Sequence, residues 1–240
     1  MTSNQLSLTI QQNLNAIRND IATACQVAGR DVSEVRLVAV TKYAQWEWVE
    51  ALSEHHSTFG ENRPQQLAER APLLPQANWH LIGQLQRNKV RSAVQHSAVI
   101  HSIDSLKLLQ RTALIAAELQ KRPDILLQIN VSGEATKSGF TPAELVEIWP
   151  TITEEHKSLE IVGLMTMAPA SQVAEDARTT FGGLAQLRRQ LVTHPATETS
   201  GIALTELSMG MGGDFRIAIE EGATIVRIGS RLYEGLGEGS

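Results

Sequence analysis

With 240 residues, 42% of them hydrophobic, and a formal net charge of -5, the chain can bury one sizeable core and carries no basic block suited to a nucleic-acid backbone. No apolar run approaches the ~20 residues that cross a bilayer, so a soluble protein is expected. The single cysteine, Cys25, rules out an intramolecular disulfide and reads as a packed thiol.

The opening stretch MTSNQLSLTIQQNLNAIRND lacks the basic start and the continuous apolar core of a signal peptide. Its spacing predicts an amphipathic helix, and the chain is expected to stay in the cytoplasm. Beyond it, short β-branched runs alternate with helical patterns. In chain order these predict a strand at 35–41, a helix at 45–55, strands at 58–60, 79–83 and 99–102, a helix at 105–119 and a strand at 125–131. A helix at 142–155 follows, with Thr141 as its cap and Pro142 in its first turn, then a strand at 161–167 and a helix at 174–192. The segment 194–205, with Pro195 and Gly201, reads as a surface connection before a strand at 206–208, a helix at 215–221 and a strand at 224–228. Residues after Tyr233 are expected to fray. The pattern predicts the α/β class: a single (β/α)8 TIM barrel domain spanning 1–240, with its core at about 33–235 and an extra N-terminal helix. An open doubly wound sheet is the alternative, but no glycine-rich phosphate loop follows the first strand.

A barrel of this kind places its chemistry at the carboxyl ends of the strands. In VRLVAVTK the period of two puts Lys42 on the side of Val38 and Val40, so an otherwise apolar strand carries an amine to the barrel mouth. A neutral amine is the form that condenses with an aldehyde, and burial favours it. A lysine that snorkels to solvent from a strand end is the other reading of the same position.

The stretch LSMGMGGDFRIAIEEGATIVRIGSRLYEG joins the predicted last two strands. Ser208 and Gly210 follow one strand end, Gly229 and Ser230 the other, and together they suit a clasp of backbone amides and hydroxyls around a phosphate. Taken singly, either glycine cluster is ordinary turn chemistry. Arg227 lies within an apolar strand and needs an acceptor, either a carboxylate or a ring nitrogen of a ligand. Asn62 can hydrogen-bond a ligand or cap a helix, and Met165 and Met209 can pack on a flat ring or simply fill the core. The histidines form no HExxH pattern, and His55 and His56 read as a solvated pair at a helix end, so no metal site is expected. No GxSxG elbow is present.

Taken together, LVAVTK, FGEN, WHLIGQLQRNK, HSIDS, LLQINVSGEATKSGF, GLMTMAP, LSMGMGGD and VRIGSRLYEG resemble the YggS/PROSC family of pyridoxal 5′-phosphate (PLP) binding proteins, whose barrel is that of the alanine racemase N-terminal domain. The resemblance implies PLP held as a covalent aldimine (Schiff base) on Lys42. It also implies phosphate contacts from Ser208, Gly229 and Ser230, with Arg227 facing the pyridine nitrogen and Asn62 lining the ring pocket. Gly212 departs from the family's usual serine and Tyr43 from its usual small hydroxyl residue.

The implied role is a non-catalytic carrier in PLP (vitamin B6) homeostasis and amino-acid balance, able to supply apo PLP-dependent enzymes. Without the β-domain of alanine racemases, mostly monomer is expected. The alternatives are a PLP-dependent amino-acid racemase and a Schiff-base aldolase. Racemisation needs a second base, and only Tyr43 and Tyr233 are available as tyrosines; an arginine at the ring nitrogen also weakens the electron sink.

Overall fold

A computed structural model describes residues 2–134 and 136–237. Its first helix, α1 (Ser3–Val27), starts at a capping box between Thr2 and Gln5. Ile10, Leu14, Ile17, Ile21, Ala24 and Cys25 recur every three or four residues and form its buried stripe. The helix is longer than the predicted one because that stripe continues past Asp20 to Cys25, whose thiol is buried.

Eight parallel strands then close on themselves in sequence order. They are β1 (Arg36–Val40), β2 (Thr58–Glu61), β3 (Asn78–Leu81), β4 (Val99–Ile103), β5 (Asp124–Gln128), β6 (Glu160–Met165), β7 (Glu206–Ser208) and β8 (Ile225–Ile228). Closure is made by β1 against β8, with Val38 beside Arg227 and Ala39 beside Ile228. Around the barrel run α2 (Trp46–Ser53), α3 (Pro64–Arg70), α4 (Val90–His96), α5 (Leu106–Glu118), α6 (Pro142–Glu154), α7 (Arg178–Val192), α8 (Pro195–Ser200) and α9 (Phe215–Glu220).

The strand alternation sorts side chains into two layers. Ala39, Phe59, Ile100, Leu127, Leu164, Leu207 and Val226 face the helices within the main core. Val38, Val99, Leu126, Met165 and Ile225 form a separate plug inside the barrel. Gly60 is required beside that plug, since a Cβ there would lie 2.8 Å from Val38 Cγ1.

Several expectations change. The segment 194–205 is more than a surface connection: Pro195 opens α8, and Trp149 Nε1 donates 2.7 Å to Thr197 Oγ1 in the interior. Helices α3 and α4 carry too short an apolar pattern to stand out in sequence, and the stretch predicted as a helix at 174–192 begins as a tighter 3-10 turn, Ala174–Ala177. His56 is not a solvated residue. Its ring meets Phe59 edge-on and its Nε2 lies 3.1 Å from the Leu37 carbonyl, and burial lowers its pKa. Past Tyr233 the chain is still anchored at Glu234: the 3-10 turn Ser230–Tyr233 packs on α1, where Asn13 Nδ2 donates to the carbonyls of Leu232 and Glu234, and the last of the residues expected to fray, 238–240, lie outside the described residues. No helix among the described residues is long and apolar enough to cross a membrane.

Candidate functional site

A cavity of about 760 Å³ opens at the carboxyl ends of the strands. Lys42, Asn62, Arg227, Gly229 and Ser230 all line it, so residues distant in sequence converge on one space. Its size lies within the range of roughly 300–1,000 Å³ found for small-molecule sites.

Lys42 sits in the turn after β1 and is half-buried, with Val38 in the barrel plug and Val40 in the cavity wall on the same strand face. Its Nζ lies 5.0 Å from the centroid of the Tyr43 ring, which is itself 84% exposed. The turn is held from below by buried charge. Glu61, fully buried, accepts from Thr41 Oγ1 at 2.5 Å and from Arg70 Nη1 at 2.6 Å. The same guanidinium donates to the carbonyls of Thr41 at 2.8 Å and Ala44 at 2.7 Å, clamping both sides of Lys42. Burial raises the Glu61 carboxyl above its ordinary range, while the Thr41 hydroxyl and Arg70 pull it down.

Arg227 is 5% exposed and forms part of the cavity wall. Among the described residues no carboxylate pairs with it; Nη2 donates 3.1 Å to the Thr166 carbonyl and Nη1 donates to Ser208 Oγ. Desolvation lowers its pKa to about 10, so the guanidinium remains charged at neutral pH. A buried cation without a counter-ion is costly unless other acceptors reach it, which makes this point of the wall receptive to a ligand acceptor.

Two glycines allow backbone to come close at the cavity rim. A Cβ on Gly83 would lie 2.1 Å from the Asn62 carbonyl oxygen, and one on Gly229 would lie 3.3 Å from Val40 Cβ. Gly212 is different, since a Cβ there meets nothing within 4 Å and its side of the wall opens on the cavity. Gly212→Ser should therefore be accommodated without strain and add a hydroxyl to the site. We expect it to tighten binding of a phosphorylated ligand by about two- to tenfold, from a net hydrogen bond of roughly 0.5–1.5 kcal/mol, measured by spectral titration with PLP as the probe.

The remaining sequence candidates lie behind the wall. Met165 belongs to the barrel plug, and Met209 is wholly buried in the outer core. Gly210 has φ +90° and a Cβ there would approach Phe215 Cα to 2.9 Å, so its glycine serves the turn into α9. Ser208 is buried with its hydroxyl turned to Arg227 and His101. Met167 and Met211 occupy the cavity wall instead, each two residues further along. The site thus lies one pleat above the strand ends as read from sequence.

Sequence reasoning also missed His80 and His101. His101 Nδ1 lies 2.8 Å from Ser208 Oγ, and His101 Nε2 lies 2.9 Å from His80 Nδ1, all inside the barrel. Burial lowers the pKa of His80 to about 3 and that of His101 well below its usual value, so both rings are neutral. Their inward parity was the available signal, but a search for metal-ligand spacing passes over it.

Tyr233 was missed as well. Its ring lines the cavity and stacks on Trp48 with centroids 5.6 Å apart, and its buried hydroxyl has no hydrogen-bond partner among the described residues. Burial, with Glu61 nearby, pushes the phenol upward and keeps it neutral. Tyr233→Phe retains the stack and removes an unpaired group. The expected result is an unfolding free energy unchanged or raised by about 1 kcal/mol, read from a thermal melt of the ligand-free protein.

A closed parallel barrel whose mouth holds an amine and a guanidinium without a carboxylate partner among the described residues is suited to binding a small anionic ligand. The family model described as alanine racemase, N-terminal domain, matches residues 12–236. The chain belongs to that family and, within it, to the pyridoxal phosphate homeostasis proteins. The protein of that name from Aquifex aeolicus is 37% identical over 232 residues, covering 92% of this chain and 96% of its own length. The one from Synechocystis is 40% identical over 203 residues, covering 83% and 90%. Among solved structures, PipY of Synechococcus elongatus with PLP bound is 34% identical with a TM-score of 0.74, covering 89% of this chain and 99% of PipY. An alanine racemase from Clostridium difficile shares the fold at 16% identity and a TM-score of 0.67, this chain matching 56% of its length.

Proposed function

We propose that this protein binds PLP on Lys42 and holds it without turnover, keeping the cofactor available within the cell and supplying it to apo PLP-dependent enzymes. The observation that carries the reading is the shared cavity of Lys42 and Arg227, the latter without a carboxylate partner among the described residues. The homeostasis proteins it resembles and the PLP in PipY support the same ligand.

The residues fit the cofactor. Lys42 would hold it covalently, Arg227 would face the ring nitrogen as a donor, and Gly229 and Ser230 would receive the phosphate at the start of the turn Ser230–Tyr233. PLP supplies an aldehyde that forms a Schiff base with an amine. Met167 and Asn62 are placed to border the ring, and Tyr43 stands at the mouth beside the lysine amine.

The same wall supports a reading without turnover. A donor-only arginine facing the ring nitrogen would leave that nitrogen unprotonated and so would weaken carbanion stabilisation. Tyr43 is mostly solvent-exposed, and Tyr233 is held as a neutral phenol. Cytoplasmic residence and a monomeric state accord with a store from which other enzymes draw.

The test is the visible spectrum of the purified protein after incubation with PLP, then borohydride reduction and peptide mapping. A band near the Schiff-base region, a phosphopyridoxyl group on Lys42 and no interconversion of L- and D-alanine are expected. Interconversion at enzymatic rates would establish the racemase alternative in place of a carrier.

A further inference from the structure

Arginine only donates, so the hydrogen bond from Arg227 Nη1 makes Ser208 Oγ an acceptor and leaves the serine proton for His101 Nδ1 at 2.8 Å. His101 then carries its proton on Nε2 and gives it to His80 Nδ1 at 2.9 Å. In this order only the end of the chain, His80 Nε2, lacks a partner among the described residues. Reversing the direction would leave the serine proton without an acceptor as well, at a further cost of about 1–3 kcal/mol. The chain therefore runs one way, from the cavity wall into the barrel.

Every member is buried: Ser208 and His101 are fully enclosed, and His80 is 2% exposed. Strands β3, β4, β7 and β8 each contribute one residue, so the barrel itself sets the spacing. The Thr166 carbonyl takes the other terminal nitrogen of Arg227 at 3.1 Å. Two neutral acceptors thus fix the plane of the guanidinium where a carboxylate would ordinarily do so. A carboxylate would also neutralise the cation, whereas a serine and a carbonyl leave its charge for the ligand.

We propose that Ser208 and His101 are positioning residues that aim Arg227 at the heterocyclic nitrogen of the bound cofactor, so that Ser208 acts through the arginine and not on the phosphate. This rests on the PLP reading above. The consequence is selective, since loss of aim should weaken recognition of the ring nitrogen and leave the other contacts intact.

The experiment compares PLP with 1-deazapyridoxal phosphate, in which carbon replaces the ring nitrogen, by spectral titration of wild type, Ser208→Ala, Ser208→Thr and His101→Leu. Thermal melts establish which variants fold. Wild type is expected to prefer PLP by about tenfold, the worth of one buried hydrogen bond whose loss leaves a donor unpaired. Ser208→Ala and His101→Leu should bring the two ligands within about twofold of each other, and Ser208→Thr, which keeps the hydroxyl, should restore the preference. A folded Ser208→Ala or His101→Leu protein that keeps the full preference, or loses affinity equally for both ligands, overturns the proposal while leaving PLP binding intact. Wild type that forms no band with either ligand overturns the PLP reading and this proposal with it.

Discussion

Lys42→Ala is expected to abolish the visible band of the PLP-treated protein and to eliminate the phosphopyridoxyl group fixed by borohydride at this position. The half-buried amine of Lys42 lines the same cavity as Arg227, Gly229 and Ser230, and no other residue supplies an amine in the turn after β1. Removing it leaves the noncovalent contacts in place, so residual binding is expected to be weaker by on the order of a hundredfold, or ~2.7 kcal/mol. The fold should be unaffected, because the side chain reaches into the mouth and is not part of either core layer. Absorption spectra, peptide mapping after reduction, equilibrium dialysis and a thermal melt check each part. A full-strength band in the variant, with the adduct on another lysine, would place the covalent site elsewhere.

Arg70→Leu is expected to cost about 3–5 kcal/mol of stability at neutral pH, the typical result of stripping the partner from a buried charge. Glu61 has no exposed surface, and Arg70 supplies its ion pair at 2.6 Å. Without the guanidinium, burial drives the Glu61 carboxyl further above its unfolded value of 4.5. The folded variant then binds a proton that the unfolded chain has already lost. Its deficit against wild type should be small near pH 4.5, grow as pH rises through that window, and level off above the raised pKa. Urea denaturation of both proteins at pH 5 and pH 8 reads this directly. Adding Glu61→Gln should recover most of the loss, since the uncompensated charge is then gone. The same variant releases the carbonyls of Thr41 and Ala44 that bracket Lys42, so slower and weaker PLP attachment should accompany the lost stability. An equal deficit at both pH values would show that packing of the Arg70 stem, and not charge, is what matters.

The two effects connect the fold to the proposed function. The clamp beneath Lys42 is built by β2 and α3, and the adjoining wall that carries Arg227 is built by β7 and β8, which reach the Lys42 strand β1 only when the barrel closes. The lysine and the arginine are thus fixed by separate polar assemblies, one ionic and one neutral.

The alternation of apolar runs carried the strand count, the barrel class and the inward side of β1, because side-chain direction in a strand is a local property of the backbone. It likewise placed Lys42, Asn62, Arg227, Gly229 and Ser230 near strand ends, and all of them line the cavity. What tertiary structure alone decided was depth and partnership. Met165 and Met209 lie a pleat too low, with Met167 and Met211 in the wall, because the height of each strand in the barrel depends on register between strands distant in sequence. Ser208 looked like a phosphate ligand because it follows an apolar strand next to glycines, yet closure of the barrel delivered His101 from β4 and Arg227 from β8 to its hydroxyl. Arg70 and Glu61 gave no signal at all, since an ion pair nine residues apart becomes structural only once water is excluded from around it. Sequence by itself determined which faces are apolar and brought Lys42, Asn62, Arg227, Gly229 and Ser230 to the mouth; the folded barrel decided the depth of the other candidates and which polar groups meet, because hydrogen bonds between strands depend on three-dimensional register that no local pattern encodes.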